Sequence, residues 1–181
     1  MTKQLIIGDC LQVLEEFSDK YFDYCLTSPP FKEQEWGGEK YWKNFDNLIE
    51  LLRKKVSKCA FIFNSSTKIR EMLNRYSDIE RILIWGKAPS MYSYRYEPIF
   101  LFRFDKEFKP NKYIFKDYWQ MSPILNNNKT YENPVKLYKE LLLKFPKGKV
   151  LDPFFGTGTT GKACDELGLE YVGIEIKNRI D

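Results

Sequence analysis

A glycine-rich turn close to the carboxyl end of the chain is the feature that most constrains the fold. It lies within residues 149–163, where Val150 and Leu151 lead into three closely spaced glycines and then into a helical pattern. Valine and leucine favour a buried strand, and glycines allow positive φ and the close approach of a ligand. Only one strand pattern follows, at 170–176, so this unit must join a sheet that the preceding residues build.

Short apolar runs of strand length recur along the chain and alternate with amphipathic helix patterns. Seven strands are predicted, within 4–9, 22–27, 58–64, 79–85, 98–104, 149–151 and 170–176. Helices are predicted at 10–17, 41–56 and 66–76, after the glycine turn, and from Asn133, which is assigned as an N-cap with Pro134 in the first helical position. The alternation predicts a single α/β domain spanning 1–181, with a parallel or mixed sheet of about seven strands and helices on both faces. A dinucleotide fold normally opens with its glycine turn, so the chain order predicts a circularly permuted arrangement.

The glycines alone fit three classes of ligand. Residues 156–161 fit G-x-G-x-x-G, and Glu175 lies 19 residues beyond the first glycine, where a dinucleotide fold keeps its ribose-binding acid. Residues 156–163 nearly fit a phosphate loop, but Ala163 replaces its terminal hydroxyl residue. Asp152, a carboxylate directly before the turn, disfavours a polyphosphate and suits an ammonium or sulfonium group. S-adenosylmethionine has that chemistry, and Glu175 is positioned to hold its ribose diol.

A second motif, Ser28-Pro29-Pro30-Phe31, follows the strand predicted at 22–27. Consecutive prolines favour a stiff, extended segment, and ligand clefts of open α/β sheets lie at the carboxyl ends of strands. Because prolines have no N–H, this segment offers carbonyl acceptors together with the Ser28 hydroxyl and the Phe31 ring. Such acceptors could hold the two N–H groups of a nucleobase amine, with Phe31 stacking on a flipped base.

The pairing of the two motifs resembles the β class of S-adenosylmethionine-dependent DNA amino-methyltransferases, the N4-cytosine / N6-adenine family, whose catalytic motif precedes the cofactor motif. Segments 8–14, 96–102 and 132–137 are similar to further motifs of that family. The resemblance implies a Rossmann-like methyltransferase sheet, S-adenosylmethionine as methyl donor and a flipped base of double-stranded DNA as acceptor. It implies catalytic roles for Ser28, Pro29, Pro30 and Phe31. The cofactor-binding residues that it implies are Asp9, Cys10, Thr27, Asn133, Asp152, Pro153, Phe154, Gly156, Gly158, Thr159, Thr160, Glu175 and Ile176.

The residue before the two prolines bears on the choice of base. In the family that the chain resembles, serine is commonest at this position among N4-cytosine enzymes and aspartate is typical of N6-adenine enzymes. Ser28 therefore favours cytosine, with N6-adenine in DNA or a base in RNA as alternatives. A C5-cytosine mechanism needs a cysteine followed by proline, which the sequence does not contain.

A basic and aromatic segment without clear periodicity, at about 105–131, is the predicted target-recognition region, together with the polar loop at 32–40, where Trp36 is expected to be exposed. Between Leu101 and Val150 the chain has eleven Lys and Arg against five Asp and Glu, which favours contact with a polyanion. A nucleotide-binding protein that uses the glycine turn as a phosphate loop remains an alternative. So does a non-catalytic DNA-binding module of the same fold.

The composition disfavours several other classes of protein. The chain contains no histidine, and its four cysteines, Cys10, Cys25, Cys59 and Cys164, have no metal-ligand spacing, so no metal site is predicted and buried thiols are expected. The N-terminus has no signal-peptide pattern, and no apolar stretch is long enough to span a bilayer. We expect a cytoplasmic protein without membrane contact, and the resemblance leaves open a homodimer and a cognate restriction endonuclease of a restriction-modification system.

Overall fold

The computed structural model describes residues 3–32, 36–87, 95–109, 116–125, 131–143 and 145–177. Within these residues the chain forms ten strands and five α-helices. The strands are β1 (Lys3–Ile7), β2 (Phe22–Thr27), β3 (Val56–Phe63), β4 (Ile79–Gly86), β5 (Tyr96–Arg103), β6 (Tyr118–Gln120), β7 (Ile124–Leu125), β8 (Tyr131–Glu132), β9 (Lys149–Asp152) and β10 (Glu170–Glu175). The helices are α1 (Cys10–Glu15), α2 (Tyr41–Lys55), α3 (Ile69–Arg75), α4 (Val135–Leu142) and α5 (Thr159–Leu167), and short 3₁₀ turns occupy Gly38–Lys40 and Ser66–Lys68.

Eight of these strands form one sheet in the order β1-β10-β9-β2-β3-β5-β4-β6, and β7 and β8 form a separate two-stranded ribbon. All neighbours in the large sheet are parallel except β5, which is antiparallel to both β3 and β4. The glycine-rich unit from β9 to β10 is therefore inserted between β1 and β2, next to strands from the other end of the chain. The α/β class and the permuted order of the sequence motifs are confirmed.

Helices cover both faces of the sheet because successive side chains of each strand point to opposite faces. In β3, Ala60 and Ile62 pack into the core beneath α1, α2 and α3, whereas Phe61 and Phe63 pack into the core beneath α4 and α5. The strands buried on both sides contain nearly continuous apolar residues, as in other parallel sheets. The prediction of helices on both faces is confirmed.

The sheet has one strand more than the seven expected, because Tyr118–Gln120 pairs with β4 at the edge. Its three residues are too few to produce a periodic pattern in the sequence. The predicted N-cap of α4 is wrong: Pro134 occupies that position without a side-chain cap, and the Asn133 amide instead donates to the Tyr138 hydroxyl at 2.8 Å. Parts of the predicted recognition region, residues 110–115 and 126–130, lie outside the described residues.

The strand directions bring the two sequence motifs to the same edge of the sheet. Chain connections lead away from the neighbouring strands β9 and β2 in opposite directions, which opens a crevice at their carboxyl ends. The glycine turn follows β9, the Ser28–Phe31 segment follows β2, and Asp9 follows β1 at this edge. Because β5 is antiparallel, its amino end, at Tyr96 and Glu97, also lies there.

Candidate active site

Two adjoining cavities occupy the carboxyl edge of the sheet, and the Ser28–Phe31 segment lies between them. The larger cavity, about 620 Å³, is lined on one side by the glycine turn and β10 and on the other by Ser28, Pro30 and Trp36. The smaller cavity, about 310 Å³, is lined by all four residues of the Ser28–Phe31 segment. Ser28 and Pro30 line both cavities, so a group bound in one cavity lies next to a group bound in the other.

The glycine turn is shaped by positive φ angles and by a bond to the end of the neighbouring strand. Gly156 has φ 54° and Gly158 has φ 85°, a conformation that glycine adopts without steric cost. The Gly156 N–H donates to the Glu175 carboxylate at 2.7 Å, and the Ile176 N–H donates to the other carboxylate oxygen at 3.1 Å. Glu175 thereby fixes the turn while it lines the larger cavity.

Close packing beneath the turn explains the other glycines of this region. The Phe155 ring stacks on Tyr171 with centroids 5.7 Å apart, and it lies directly over Gly173 of β10 and Gly161 of α5. A Cβ on Gly161 would lie 2.7 Å from Phe155 Cζ, and a Cβ on Gly173 would overlap the same ring. These two glycines therefore serve helix–sheet packing.

The charges around the larger cavity disfavour a polyphosphate ligand. Two carboxylates, Asp9 and Glu175, line the cavity, and its described lining contains no Lys or Arg. The Gly156 N–H, a possible donor to a phosphate at the turn, instead donates to the Glu175 carboxylate. Lys162, at the lysine position of the phosphate-loop pattern, instead pairs with Glu132 at 3.9 Å. The cavity fits a cationic ligand with hydroxyl groups.

Asp152 lies outside the lining of this cavity, and its hydrogen bonds connect the central strands β2 and β9. Its Oδ1 accepts hydrogen bonds from the Thr27 hydroxyl at 2.8 Å and from the Phe154 N–H at 3.1 Å, and its Oδ2 accepts one from the Thr160 hydroxyl. Burial raises the pKa of Asp152 to about 6, and the hydrogen bonds from Thr160 and Thr27 oppose that rise. Its carboxylate joins β2, β9 and the start of α5.

The thirteen residues predicted to bind the cofactor separate into three groups in the structure. Those lining the larger cavity are Asp9, Cys10, Pro153, Phe154, Gly156, Glu175 and Ile176. Those outside its lining are Thr27, Asp152, Gly158, Thr159 and Thr160, all buried. Asn133 lines the smaller cavity instead. The cofactor-binding roles of the buried group and of Asn133 therefore stay predictions.

The smaller cavity contains charged residues that the sequence motifs did not assign to the site. Besides the Ser28–Phe31 segment, its lining includes Lys87 at the end of β4 and Glu97 at the start of β5, which form an ion pair. Burial raises the pKa of Glu97, and the neighbouring Lys87 cation opposes the rise. Glu97 lies in a segment resembling a family motif, but its position in the site depends on the antiparallel direction of β5, which the sequence does not reveal.

Trp36 is a further residue whose position differs from the expectation. It was predicted to be exposed, but it is partly buried, and its ring meets Phe154 edge to face with centroids 4.9 Å apart. Trp36 lines the larger cavity together with Phe154. Residues 33–35 of the same loop lie outside the described residues.

The cysteines and the acidic residues do not form a metal centre in the described part of the chain. No group of three or more His, Cys, Asp or Glu side chains is arranged there to hold a metal ion. The four cysteines are buried free thiols, as expected, and burial raises the pKa of Cys10 and of Cys164 to about 12. Across the described ranges, no helix has the length and apolar character needed to cross a bilayer.

The sheet, the crevice between β9 and β2 and the carboxylate-lined cavity define a Rossmann-like methyltransferase. The chain belongs to the DNA methylase family of N6/N4 methyltransferases, whose family model matches residues 22–180. The prediction of an amino-methyltransferase family is thereby confirmed.

Individual proteins that the chain resembles agree with this family. It is 71% identical over 31 residues to the Type II methyltransferase M.SmaI of Serratia marcescens, a match that covers 17% of this chain and 11% of that protein. The structure of the PvuII DNA methyltransferase (cytosine-N4-specific) superposes with a TM-score of 0.80 at 18% identity, covering 98% of this chain and 83% of that one. A structure of the M1.HpyAVI–SAM complex superposes with a TM-score of 0.73 at 22% identity, covering 98% of this chain and 95% of that one. At these identities the structural likeness establishes the fold.

Proposed function

We propose that this protein transfers a methyl group from S-adenosylmethionine to the exocyclic N4 amine of a cytosine flipped out of double-stranded DNA. The observation that carries the proposal is the position of Ser28 and Pro30, which line both cavities. A donor in the larger cavity and a base in the smaller one would meet at this segment. Transfer between two bound molecules requires such proximity.

The larger cavity suits S-adenosylmethionine in size and in charge. Its volume of about 620 Å³ lies within the range of ~300–1,000 Å³ that is typical of small-molecule sites. Glu175 offers acceptor oxygens to the ribose hydroxyls, Asp9 offers a second carboxylate, and Trp36 and Phe154 offer apolar surface. The bound cofactor supplies an electrophilic methyl group on a positively charged sulfur. The absence of Lys and Arg from the described lining favours this ligand over a nucleotide.

The smaller cavity suits a single base. Ser28 and the Pro29 carbonyl are hydrogen-bond acceptors for the amine, and Phe31 offers its ring for stacking. An amine held by acceptors keeps its lone pair directed away from them, toward the larger cavity. Ser28 favours cytosine, and the cytosine-N4 specificity of the PvuII enzyme agrees with that choice.

The proposal extends to partners and organisation. We propose a single domain over 1–181 in which the basic segment at about 105–131 contacts DNA, in a cytoplasmic protein. The described positive charges of this segment are Lys106, Lys109 and Lys116. A homodimer and a cognate restriction endonuclease are compatible additions, and sedimentation of the purified protein tests the first of them.

The deciding experiment identifies the methylated nucleoside. The purified protein is incubated with DNA and methyl-labelled S-adenosylmethionine, and the DNA is digested to nucleosides. N4-methylcytosine is the expected product. N6-methyladenine would contradict the inference from Ser28 while leaving the family intact, and unlabelled nucleosides would contradict the proposed activity.

Two variants separate an enzyme from a DNA-binding module of the same fold. Ser28→Ala and Phe31→Ala should lower methyl transfer by at least ~10-fold, because each removes a group that holds the base. Ser18→Ala, an exposed serine between α1 and β2, serves as the matched control and should leave the rate unchanged. Parallel titrations with S-adenosylmethionine and with Mg-ATP test the nucleotide-binding alternative, which requires tighter binding of ATP.

A further inference from the structure

Glu97 is a buried carboxylate in the smaller cavity with one oxygen that has no partner. The residue is 8% exposed, and its Oε1 pairs with the Lys87 ammonium group. Its Oε2 is buried and has no hydrogen-bond partner within the part of the chain that the structure describes. A buried acceptor without a donor costs roughly 1–3 kcal/mol, so such an atom calls for a functional explanation.

The chemistry proposed for this cavity requires a base that the Ser28–Phe31 segment does not supply. An amine that gains a methyl group becomes positively charged and must lose a proton. The Ser28 hydroxyl and the Pro29 carbonyl accept hydrogen bonds, but both are very weak bases. A carboxylate in the same cavity can take the proton, and general bases of this kind typically contribute ~10²–10⁴-fold to a rate.

Two carboxylates line the smaller cavity, and their surroundings distinguish them. Glu132 lies 3.9 Å from the Lys162 ammonium group and borders the cavity at the end of the β7–β8 ribbon. Glu97 lies on the large sheet next to Trp85, its register partner on β4, and it retains an unpaired oxygen. Glu97 is therefore the more rigid and more available proton acceptor of the two.

We propose that Glu97 is a catalytic residue whose Oε2 accepts the proton released by the target amine, an inference that rests on the proposed methyl transfer. The amine nitrogen forms a bond to the methyl carbon while the carbon–sulfur bond breaks and its electron pair stays on sulfur. One N–H bond of the amine then breaks, its electron pair stays on nitrogen, and the proton bonds to a lone pair of Oε2. Lys87 holds the carboxylate in place through Oε1.

The position of Glu97 supports this role through its pKa. Burial raises the pKa of Glu97 above its ordinary value, which makes the carboxylate a stronger base, and the Lys87 cation opposes that rise. The other charged or titratable groups around it are Lys32 and Glu132, which line the same cavity, and Tyr138 of α4. Burial is the main cause that raises the pKa of Tyr138, followed by the Asp152 charge, and the Glu97 charge adds the smallest part.

The test compares single-turnover methylation rates of the 181-residue protein at several pH values. In the wild type the rate should fall at acidic pH as Glu97 becomes protonated. Glu97→Gln keeps the shape of the side chain and should lower the methylation rate by at least ~100-fold. The fall in rate at acidic pH that Glu97 causes should disappear from the pH–rate profile of this variant. Its Kd for DNA should stay within about twofold of the wild-type value. Lys87→Met removes the cation that lowers the pKa of Glu97, so it should shift the acidic limb to higher pH.

Controls separate this inference from the underlying activity and from folding. Glu80→Gln neutralises an exposed acid at the opposite end of the β4–β5 pair, where it contacts Arg103, and it should match the wild type. Asp152, with a pKa of about 6, also titrates at acidic pH. It is present in the wild type and in Glu97→Gln alike, so comparing their pH–rate profiles removes its contribution. A urea denaturation curve verifies that Glu97→Gln remains folded. Equal rates for wild type and Glu97→Gln would overturn the role of Glu97 alone, whereas a wild type that methylates no base would overturn both proposals.

Discussion

Removing the Thr27 hydroxyl tests whether the buried bond between β2 and β9 holds the two halves of the site together. Thr27 is completely buried, and its hydroxyl donates to Asp152 Oδ1 at 2.8 Å. A hydrogen bond to a charged group contributes roughly 1.5–3 kcal/mol to stability. We therefore expect Thr27→Val, which keeps the volume but not the donor, to lower the free energy of unfolding by about 2 kcal/mol at pH 8.

The effect should depend on pH, and the direction follows from the pKa of Asp152. Burial raises that pKa from 3.8 to about 6. Because the folded value exceeds the unfolded value, the contribution of this group to stability is complete below about pH 4 and is lost as pH rises through about 6, a change of about 3 kcal/mol in total. Removing a donor to the ionised form raises the folded pKa further. The difference between Thr27→Val and the wild type should therefore be smaller at pH 5 than at pH 8.

The assay is urea denaturation of the wild type, Thr27→Val and Thr27→Ser at pH 5 and pH 8. Thr27→Ser keeps the hydroxyl and loses one methyl group, so its cost of roughly 1 kcal/mol should be the same at both pH values. A Thr27→Val cost that does not change with pH would refute the inference that this bond supports an ionised Asp152. So would a Thr27→Ser variant with the same pH dependence as Thr27→Val.

Three further predictions test the larger cavity and its packing. Gly173→Ala places a methyl group against the Phe155 ring and should lower the free energy of unfolding by about 1–3 kcal/mol in urea titrations. Adding Phe155→Leu should restore part of the lost stability. Additive effects of the two substitutions on the free energy of unfolding would contradict this contact. Glu175→Gln should weaken binding of S-adenosylmethionine by about 10-fold in calorimetry, since each lost 1.4 kcal/mol is tenfold in affinity, while Glu170→Gln at the other end of β10 should bind normally. S-adenosylmethionine should change the fluorescence of Trp36, which lines the cavity, and an unchanged response in Trp36→Phe would contradict that position.

The sequence predicted the sheet and the two motifs well because both depend on local patterns. Apolar runs identified seven strands, and the glycines and prolines marked the turns that follow β9 and β2. The role of Asp152 was harder to predict, because its partner Thr27 lies 125 residues away in the chain. From the sequence, Asp152 was a candidate ligand of a cation, whereas in the structure its carboxylate oxygens bond to neighbouring strands and turns.

The sequence did not assign Glu97 or Trp36 to the site. The direction of β5 places Glu97 there, and a ring contact with Phe154 places Trp36 there. Glu97 reaches the carboxyl edge only because β5 runs against its neighbours, and a strand pattern contains no information about direction. Trp36 lies in a polar loop, so its contact with Phe154 had no local signal. The edge strand β6 was missed because its pairing with β4, rather than its composition, determines its conformation.

The insertion of β9 and β10 between β1 and β2 has a consequence for how the protein is made. The donor cavity takes residues that directly follow β1 and residues at the end of β10, so it cannot exist while β10 is still inside the ribosome. Pairings between such distant segments also form slowly, because a long loop must close before they are stabilised. A nascent chain can thus assemble β2, β3, β4 and β5 early and yet acquire a donor-binding cavity only after β10 has left the ribosome.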